Sequence, residues 1–502
     1  MAMGPGVCSR PSRKHPKMLT SDPMEEQVPV LQDSEELAEP ARASSIAAPV
    51  SRQERISAVD TIRGFSVLGI LLLNIVSFGQ GYWAYENPSI IGGSNPLNIG
   101  VWAVMWILAD GKMRAIFSML FGAGVILLTS RAEQRDGGLG IADIYTRRNL
   151  WLLLLGVLHC YLLWVGDILY WYAVTGLVFL YPMRKMSAKA LLITGALVLL
   201  VISPRGYLEF RSIRDARNKS DAAIAAEKAG KKLTKEQEDA KKKWVEMQKE
   251  SHPDQKAIDE QNQQVRGNFL SNLRLHLEVA PRIEGLVYYR GGFCDVLGMM
   301  LLGMGLLKLG FLSAQRSHTE YATVAIAGYL IGIPINCYTV YVDIRDKFDP
   351  GTMALSGLTY EIERFAVAFA HIAVIMILCK AGAMKWLTSR LAAVGQMALS
   401  NYLFDTIVCC LFFCGYGFGQ FGKLERYQLY YVVAAIWTIE FFGSKIWLEH
   451  FRFGPAEWLW RSLTYWKRQP MRLERPAEPG ADALVFSGDS QFGALPAAGG
   501  PA

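Results

Sequence analysis

Two residues with acid–base chemistry, His159 and Asp167, stand together in an apolar stretch of this 502-residue sequence. His159 lies inside the apolar run, which ends at Gly166 and Asp167. A turn at Gly166 would return the carboxylate to the imidazole, and a histidine oriented by a carboxylate is a usable general base near neutral pH. We therefore expect His159 and Asp167 to be catalytic. The alternative is a histidine that only hydrogen-bonds across a helix pair as part of the packing.

A second charged pair, Asp60 and Arg63, lies at the start of the apolar run at residues 58–79. A charge near the bilayer centre costs ~2.5–3.5 kcal/mol on insertion scales, so a bare anchor would not carry it. The spacing of three residues places both charges on one helical face. One interpretation is an ion pair that fixes helix register. The other is a substrate-binding anion clamp, in which Arg63, helped by Lys112 and Arg114, meets a phosphate or a carboxylate.

Asn74 is the further polar residue of that run, and it lies at a depth like that of His159. Its amide is expected either to hydrogen-bond a substrate or to hydrogen-bond another helix. No cluster of side chains has the spacing of metal ligands, so neither a metal site nor a permanently bound cofactor is expected.

The elements that must position these residues are membrane-spanning helices. The chain is 51% hydrophobic and 19% charged, against the ~25% charged residues of a typical soluble domain. Apolar runs of about 20 residues recur along it, which is the helical length that spans a bilayer. The fold class is therefore an all-α polytopic membrane protein. The net charge of +7 comes mostly from residues beside the spans, so we expect contact with membrane lipids and no nucleic-acid binding.

Hydropathy and charge together predict about ten spans with both termini in the cytoplasm. Lys and Arg recur in alternate connections, as the positive-inside rule requires. The second span is too long for one straight helix, and Asp110-Gly111-Lys112 predicts a break within it. The predicted spans cover residues 58–79, 98–130, 149–165, 167–183, 188–204, 290–310, 320–341, 362–381, 391–414 and 427–448.

The predicted domain organisation has five parts. Two bundles of spans flank a charged extramembrane insert, and a polar disordered tail is expected at each end. Within the insert, residues 211–265 are rich in Lys and Glu, which favours solvated helices with salt-bridged faces or an arm that binds a partner or a second copy of the chain. The parts are 1–55 (N-terminal tail), 56–204 (N-terminal bundle), 205–289 (insert), 290–467 (C-terminal bundle) and 468–502 (C-terminal tail).

Several segments, in their order along residues 55–467, resemble the YeiB-like bacterial membrane proteins of the domain-of-unknown-function family 418. The matching pieces are Arg55 to Asn74, Phe117 to Gly124, Leu158-His159 with Gly166 to Leu169, Met299 to Gly305, Asn401-Tyr402 and Phe453 to Arg461. Gln396 and Asp405 depart from the pattern, which is expected to have Arg and Gln or Ser there. The resemblance implies a multi-pass protein of the bacterial inner (plasma) membrane.

That family is similar to a wider group of transmembrane acyltransferases, including the heparan-alpha-glucosaminide N-acetyltransferases. The shared piece is Asp60-Thr61-Ile62-Arg63-Gly64. The similarity implies that an embedded histidine moves an acyl group from a cytosolic thioester donor, such as acyl-CoA, to an acceptor on the far side. Those enzymes carry the histidine near the first span, whereas here no histidine occurs between His15 and His159. The rival expectations are a transporter or lipid carrier, whose broken second span would be a hinge, and a scaffold that binds a partner through 211–265.

Overall fold

The computed structural model describes residues 57–93, 95–133 and 140–473, and no strand occurs among them. The predicted N-terminal tail, 1–55, lies outside the described residues. The same holds for residues 474–502 of the predicted C-terminal tail. The helices are α1 (Ser57–Gln80), α2 (Tyr82–Glu86), α3 (Pro96–Leu108), α4 (Lys112–Glu133), α5 (Gly140–Leu162), α6 (Leu169–Thr175), α7 (Tyr181–Met183), α8 (Ala188–Leu200), α9 (Ile202–Lys228), α10 (Lys235–Ser251), α11 (Gln255–Val265), α12 (Phe269–Pro281), α13 (Phe293–Lys308), α14 (His318–Arg345), α15 (Pro350–Ser356), α16 (Tyr360–Ala381), α17 (Lys385–Gln396), α18 (Ala398–Phe413), α19 (Arg426–His450) and α20 (Pro455–Tyr465).

The helices confirm a multi-pass membrane protein. Among the described residues, seven helical stretches are long and apolar enough to cross a bilayer, and the bent pair α17–α18 makes an eighth candidate. The expected spans 149–165 and 167–183 fall in α5 and in the short helices α6–α7, which do not meet the same measure of length and hydropathy. The count of ten and the cytoplasmic termini therefore stay predictions. The seven stretches are Ser57–Gln80, Pro96–Ser130, Ala188–Lys228, Phe269–Lys308, His318–Arg345, Tyr360–Ala381 and Arg426–His450.

The predicted interruption of the second span is present between α3 and α4. Gly111 adopts φ +65°, a conformation that costs glycine little. The adjoining Lys112 is fully buried, and its Nζ donates hydrogen bonds to the Trp106 carbonyl at 2.8 Å and to Asn336 Oδ1 at 2.9 Å. Protein groups thus satisfy the ammonium where the helix breaks, as a break at membrane depth requires.

A second break separates α17 from α18, whose axes differ by 80°. The carboxylate of Glu457 on α20 satisfies the free start of α18, because its Oε1 accepts hydrogen bonds from the Leu399 and Ser400 amides at 2.7 and 3.1 Å. Glycines bring α17 onto α1: a Cβ on Gly64 would lie 1.9 Å from the Leu391 carbonyl oxygen. The bent pair is therefore fixed between α1 and α20.

The sequence predicts solvated helices with salt-bridged faces for the charged insert. In the structure these helices also contact the rest of the chain. Helices α9 and α10 pack together, with ion pairs Lys219–Glu236 at 3.3 Å and Lys241–Glu227 at 2.5 Å on their outer faces. The insert is tied to the rest of the chain by Arg217 Nη1, which lies 2.9 Å from Asp349 Oδ1 at the start of α15.

The predicted boundaries of the insert, 205 and 289, both fall within continuous helical stretches. Helix α9 begins at Ile202 and continues from α8, and α12 runs through a π-helical segment, Arg282–Gly292, directly into α13. The segment 268–289 is helical, as α12 and the π-helical segment, and it continues without a break into α13. At the other end, residues 468–473 are ordered, with the Arg452 amide donating to the Met471 carbonyl at 2.8 Å.

Candidate functional site

Two cavities of opposite charge occupy the described bundle. The smaller one, about 260 Å³, is lined by Arg63 on α1, Arg148 on α5 and Arg461 on α20, and we call it the basic cavity. Its two acidic residues are already engaged: Asp60 accepts a 2.7 Å hydrogen bond from Arg63, and Glu457 caps α18. Apolar side chains from α1 and α4 form much of the remaining wall. The cavity therefore offers guanidinium groups beside an apolar surface.

Aromatic rings hold two of these guanidinium groups in place. Arg148 lies over the Trp460 ring, 3.9 Å from its centroid, and the Trp460 indole donates a 2.9 Å hydrogen bond to the Arg148 carbonyl. Arg461 lies 4.7 Å from the centroid of Phe453. Stacking on aromatic faces suits the planar guanidinium and leaves its N–H edge for an anion. The basic cavity is thus suited to bind a phosphate or a carboxylate.

The larger cavity, about 1000 Å³, is lined by five carboxylates, and we call it the acidic cavity. Helices α9 and α10 of the insert and α15 form part of its wall, through residues such as Ser212 and Met247. The one arginine in that wall is Arg114. The five carboxylates belong to Glu86, Asp110, Glu209, Asp343 and Glu363.

The charge of Arg114 is compensated beneath the cavity surface. Its Nη1 lies 3.0 Å from Asp295 Oδ2, and Asp295 also pairs with Arg364 at 2.5 Å. Arg364 is 1% exposed and forms a second 2.5 Å ion pair with Glu361. The mutual repulsion of the lining carboxylates is visible at Glu86, whose pKa is raised by burial and further by Asp110 and Glu209. The acidic cavity therefore presents net negative charge.

The two cavities meet at four side chains that belong to both walls: Ile70, Ile168, Tyr172 and Tyr402. Tyr402, in the first turns of α18, is the one that connects to the predicted catalytic pair. Its hydroxyl lies 3.4 Å from Asp167 Oδ1 as a weak hydrogen bond. We call these four residues the junction.

His159 and Asp167 are in contact behind the junction. Nδ1 of His159 lies 2.9 Å from Asp167 Oδ1, although the angle is poor for a hydrogen bond, and Nε2 lies 3.0 Å from the Thr406 hydroxyl. Asp167 Oδ2 accepts a 2.7 Å hydrogen bond from the Tyr170 amide and so caps α6. His159 is 1% exposed and lines neither cavity. Tyr402, whose ring centre is 5.1 Å from the imidazole, stands between it and the cavities.

The predicted substrate-binding residues are divided between the two cavities. Asp60 and Arg63 line the basic cavity, whereas Asn74 and Arg114 line the acidic one. The single clamp of Arg63 with Lys112 and Arg114 is therefore not formed, because those two residues belong to the α3–α4 break, and Lys112 is buried against Asn336.

Sequence reasoning missed that Arg148 and Arg461 line the same cavity as Arg63, and it missed Tyr402 at the junction. Tyr402 and Arg461 lie within the family motifs, and Arg148 lies directly before the predicted span 149–165. The available signal was an arginine next to a tryptophan at the end of an apolar run, Trp460-Arg461.

Comparison with known proteins identifies the family. The chain is 31% identical to YeiB of Escherichia coli (strain K12) over 417 residues, which is 82% of this chain and 96% of YeiB. The chain belongs to the YeiB-like family. Residues 306–467 match the model of the DUF418 family, a protein family of unknown function. The chain is also 29% identical to YxaH of Bacillus subtilis (strain 168) over 435 residues, 84% of this chain and 97% of YxaH.

A third relative is the 39.9 kDa protein in the amylase 3′ region of Bacillus acidopullulyticus, 26% identical over 430 residues that cover 86% of this chain and 99% of the relative. No solved structure matches. The resemblance to YeiB-like proteins is confirmed, and the wider similarity to transmembrane acyltransferases stays a prediction.

Proposed function

We propose that this YeiB-like protein transfers an acyl group across the inner (plasma) membrane, from a thioester donor in the basic cavity to an acceptor in the acidic cavity. The observation that carries the proposal is that two cavities of opposite charge share one wall, at Tyr402. The positive-inside rule predicts that the arginine-lined end of α1 lies in the cytoplasm, where thioester donors occur.

The donor side follows from the chemistry of the basic cavity. Arg63, Arg148 and Arg461 would bind the phosphates of acyl-CoA, since guanidinium groups match phosphate oxygens in pairs. The apolar wall formed by side chains such as Phe117 and Leu120 would accommodate the acyl chain. Acyl-CoA is then a substrate, and the reaction needs no permanently bound cofactor.

The acceptor side follows from the acidic cavity. Five lining carboxylates and the Asn74 amide favour a polar acceptor with hydroxyl or amino groups. The cavity volume of about 1000 Å³ accommodates a molecule of several rings or residues. The insert helices α9 and α10 cover it, so the segment 211–265 serves this cavity in the proposal. A partner or a second copy of the chain bound there stays an alternative.

The reaction would proceed at the junction. The acceptor oxygen or nitrogen attacks the thioester carbon, the new C–O or C–N bond forms, and the C–S bond breaks. The acceptor proton passes through the Tyr402 hydroxyl toward Asp167 and His159, and the departing thiolate is reprotonated by the same route. Tyr402 replaces His159 as the group that contacts substrate, and His159 and Asp167 act through it.

The test uses the purified protein in sealed liposomes with labelled acetyl-CoA on the side of the basic cavity. We expect label bound covalently to a hydroxyl or amine acceptor from cell-envelope extract on the other side, and we expect Asp167→Asn and Arg63→Ala to lose it. Asp143→Asn, which removes an exposed carboxylate of α5, is the matched control. Transfer that persists in Asp167→Asn, or that never occurs with intact protein, contradicts the proposal.

A carrier is the second candidate, and one observation favours it. The α17–α18 pair bends by 80° immediately before Tyr402, and broken helices of this kind form binding sites and gates in transporters. The same liposomes distinguish the two, because a carrier moves a labelled solute across without covalent transfer.

A further inference from the structure

A pair of carboxyl groups that takes no part in the proposed transfer lies buried between α18 and α19. Asp405 is 6% exposed and Glu440 is 2% exposed. The two helices face each other here, since Asn401 Nδ2 donates a 3.1 Å hydrogen bond to Ser444 Oγ, one turn from each acid. Asp405 and Glu440 therefore lie against one another across the helix pair.

These carboxyl groups have no donor among the described residues. Asp405 Oδ1 and both carboxyl oxygens of Glu440 are buried without a hydrogen-bond partner. Two ionised carboxylates in apolar surroundings repel each other and lose their hydration, whereas one shared proton turns the contact into a hydrogen bond. The missing donor is thus a proton held by the pair itself.

The groups around the pair are neutral or paired elsewhere. On α18, Cys409 follows Asp405 by one turn and is fully buried. From α1, apolar side chains such as Leu71 and Ile75 pack in the same cluster as Cys409. The other face of α18 carries Thr406, which contacts His159, itself paired with Asp167. On α19, Lys445 is five residues beyond Glu440 and so points away from the pair.

We propose that Asp405 and Glu440 form a proton-binding site whose occupancy holds α18 against α19 and so sets the position of Tyr402 at the junction. Tyr402 precedes Asp405 by less than one turn of the same helix. When the proton leaves, two like charges face each other and α18 moves away from α19. The proton site therefore controls the wall between the cavities, whether the protein transfers or carries its substrate.

The first measurement is infrared spectroscopy of the full-length protein in lipid nanodiscs. We expect a C=O band of a buried protonated carboxyl group that disappears as pH rises, and that Asp405→Asn and Glu440→Gln each remove. Glu449→Gln is the matched control, because Glu449 is an exposed carboxylate on the same helix α19. A band that persists in both amide variants, or no such band in the intact protein, overturns the proton site.

The second measurement is alkylation of Cys409 by a membrane-permeant maleimide, read by mass spectrometry and normalised to the exposed Cys337. Above the pH at which the infrared band disappears, we expect labelling of Cys409 to increase on the order of tenfold, because α18 opens locally away from α19. Glu440→Gln should abolish that increase, since an amide still donates to Asp405, and Glu449→Gln should retain it. Labelling that does not change with pH in the intact protein overturns the coupling to α18.

Discussion

The basic and the acidic cavity differ in charge, size and cover. The basic cavity is small, has three arginines beside apolar side chains and is bordered by α20. The acidic cavity is about four times larger, has five carboxylates and is covered by the insert. An anion bound by the arginines of the basic cavity would be repelled by the carboxylates of the acidic cavity, and a cation would meet the opposite order. The contrast therefore favours two different ligands that meet at Tyr402 over one ligand that is carried through.

The largest effect on the contrast between the cavities is expected from Asp167, the carboxylate that contacts Tyr402 at the junction. Asp167→Asn keeps a cap for α6, because Asn accepts the Tyr170 amide as Asp does, but it removes the negative charge beside Tyr402 and His159. We expect acyl transfer to fall by about 10²- to 10⁴-fold, measured as kcat with labelled thioester.

The thermal unfolding midpoint of the Asp167→Asn protein in detergent should stay close to that of the unaltered chain. If the variant retains more than a tenth of the activity, proton transfer through the junction is wrong.

The second test separates the ligands of the two cavities. Arg461→Ala should raise the donor KM about 10- to 100-fold and leave kcat nearly unchanged, because a charge-assisted hydrogen bond to phosphate is lost. Glu209→Gln, in the wall of the acidic cavity, should affect the acceptor KM and leave that of the donor unchanged.

Arg147→Ala is the control for the arginine series, since Arg147 neighbours Arg148 but pairs with the exposed Asp143. A donor KM that responds equally to Arg461→Ala and Glu209→Gln would mean that the two cavities bind one ligand.

The third test addresses the bent pair α17–α18, whose second helix carries Tyr402. Gly64→Ala places a Cβ against the Leu391 carbonyl and forces α17 away from α1, so we expect a loss of about 1–3 kcal/mol in the free energy of unfolding. Gly443→Ala on α19 is the matched change, because no atom lies within 4 Å of its added Cβ. Thermal unfolding in detergent measures the stability of both variants. Equal unfolding midpoints would contradict a close contact between α1 and α17 at Gly64.

The smallest expected effect concerns the cover of the acidic cavity. Arg217→Ala removes the ion pair with Asp349 on the exposed side, which is worth about 0.2–1 kcal/mol. Amide hydrogen exchange in α9 and α10 should quicken by a few-fold at most. Lys219→Ala, whose ion pair lies within the insert, should not release the insert from α15.

The same region predicts a pH dependence. Hydrogen bonds from Arg345 and Thr352 lower the pKa of Asp346 from 3.8 to about 2, so this carboxylate stabilises the link between α14 and α15 above pH 3.8. That contribution is lost as the pH falls from about 4 to about 2. The protection factors of the α15 amides, which are exchange rates corrected for the intrinsic pH dependence of exchange, should therefore be unchanged between pH 5 and pH 8. A change in these protection factors that Asp346→Asn removes would contradict the assignment.

Local features of the site were predictable from the sequence, and long-range ones were not. The contact of Asp167 with His159 joins residues close together in the sequence, and the break at Asp110-Gly111-Lys112 depends on the backbone freedom of Gly111. Arg63, Arg148 and Arg461 belong to three helices far apart in sequence, so only tertiary packing brings them together. The catalytic role of His159 and Asp167 stays a prediction.

The packing of the insert against the rest of the chain was unpredictable for a related reason. Its composition is that of a solvated helix pair, because the ion pairs on its outer face dominate the sequence. The few inward residues, such as Trp244 and Ala216, are too sparse to indicate a packed face.

The proposed transfer requires the two cavities to open toward opposite faces of the membrane and to meet at Tyr402. Single substitutions Gln396→Cys in the basic cavity and Ser212→Cys in the acidic cavity test it, with a membrane-impermeant maleimide applied to right-side-out and inverted vesicles. We predict that Ser212→Cys is labelled only in right-side-out vesicles and Gln396→Cys only in inverted ones. Labelling of both positions from the same side would contradict transfer between cavities that open to opposite faces.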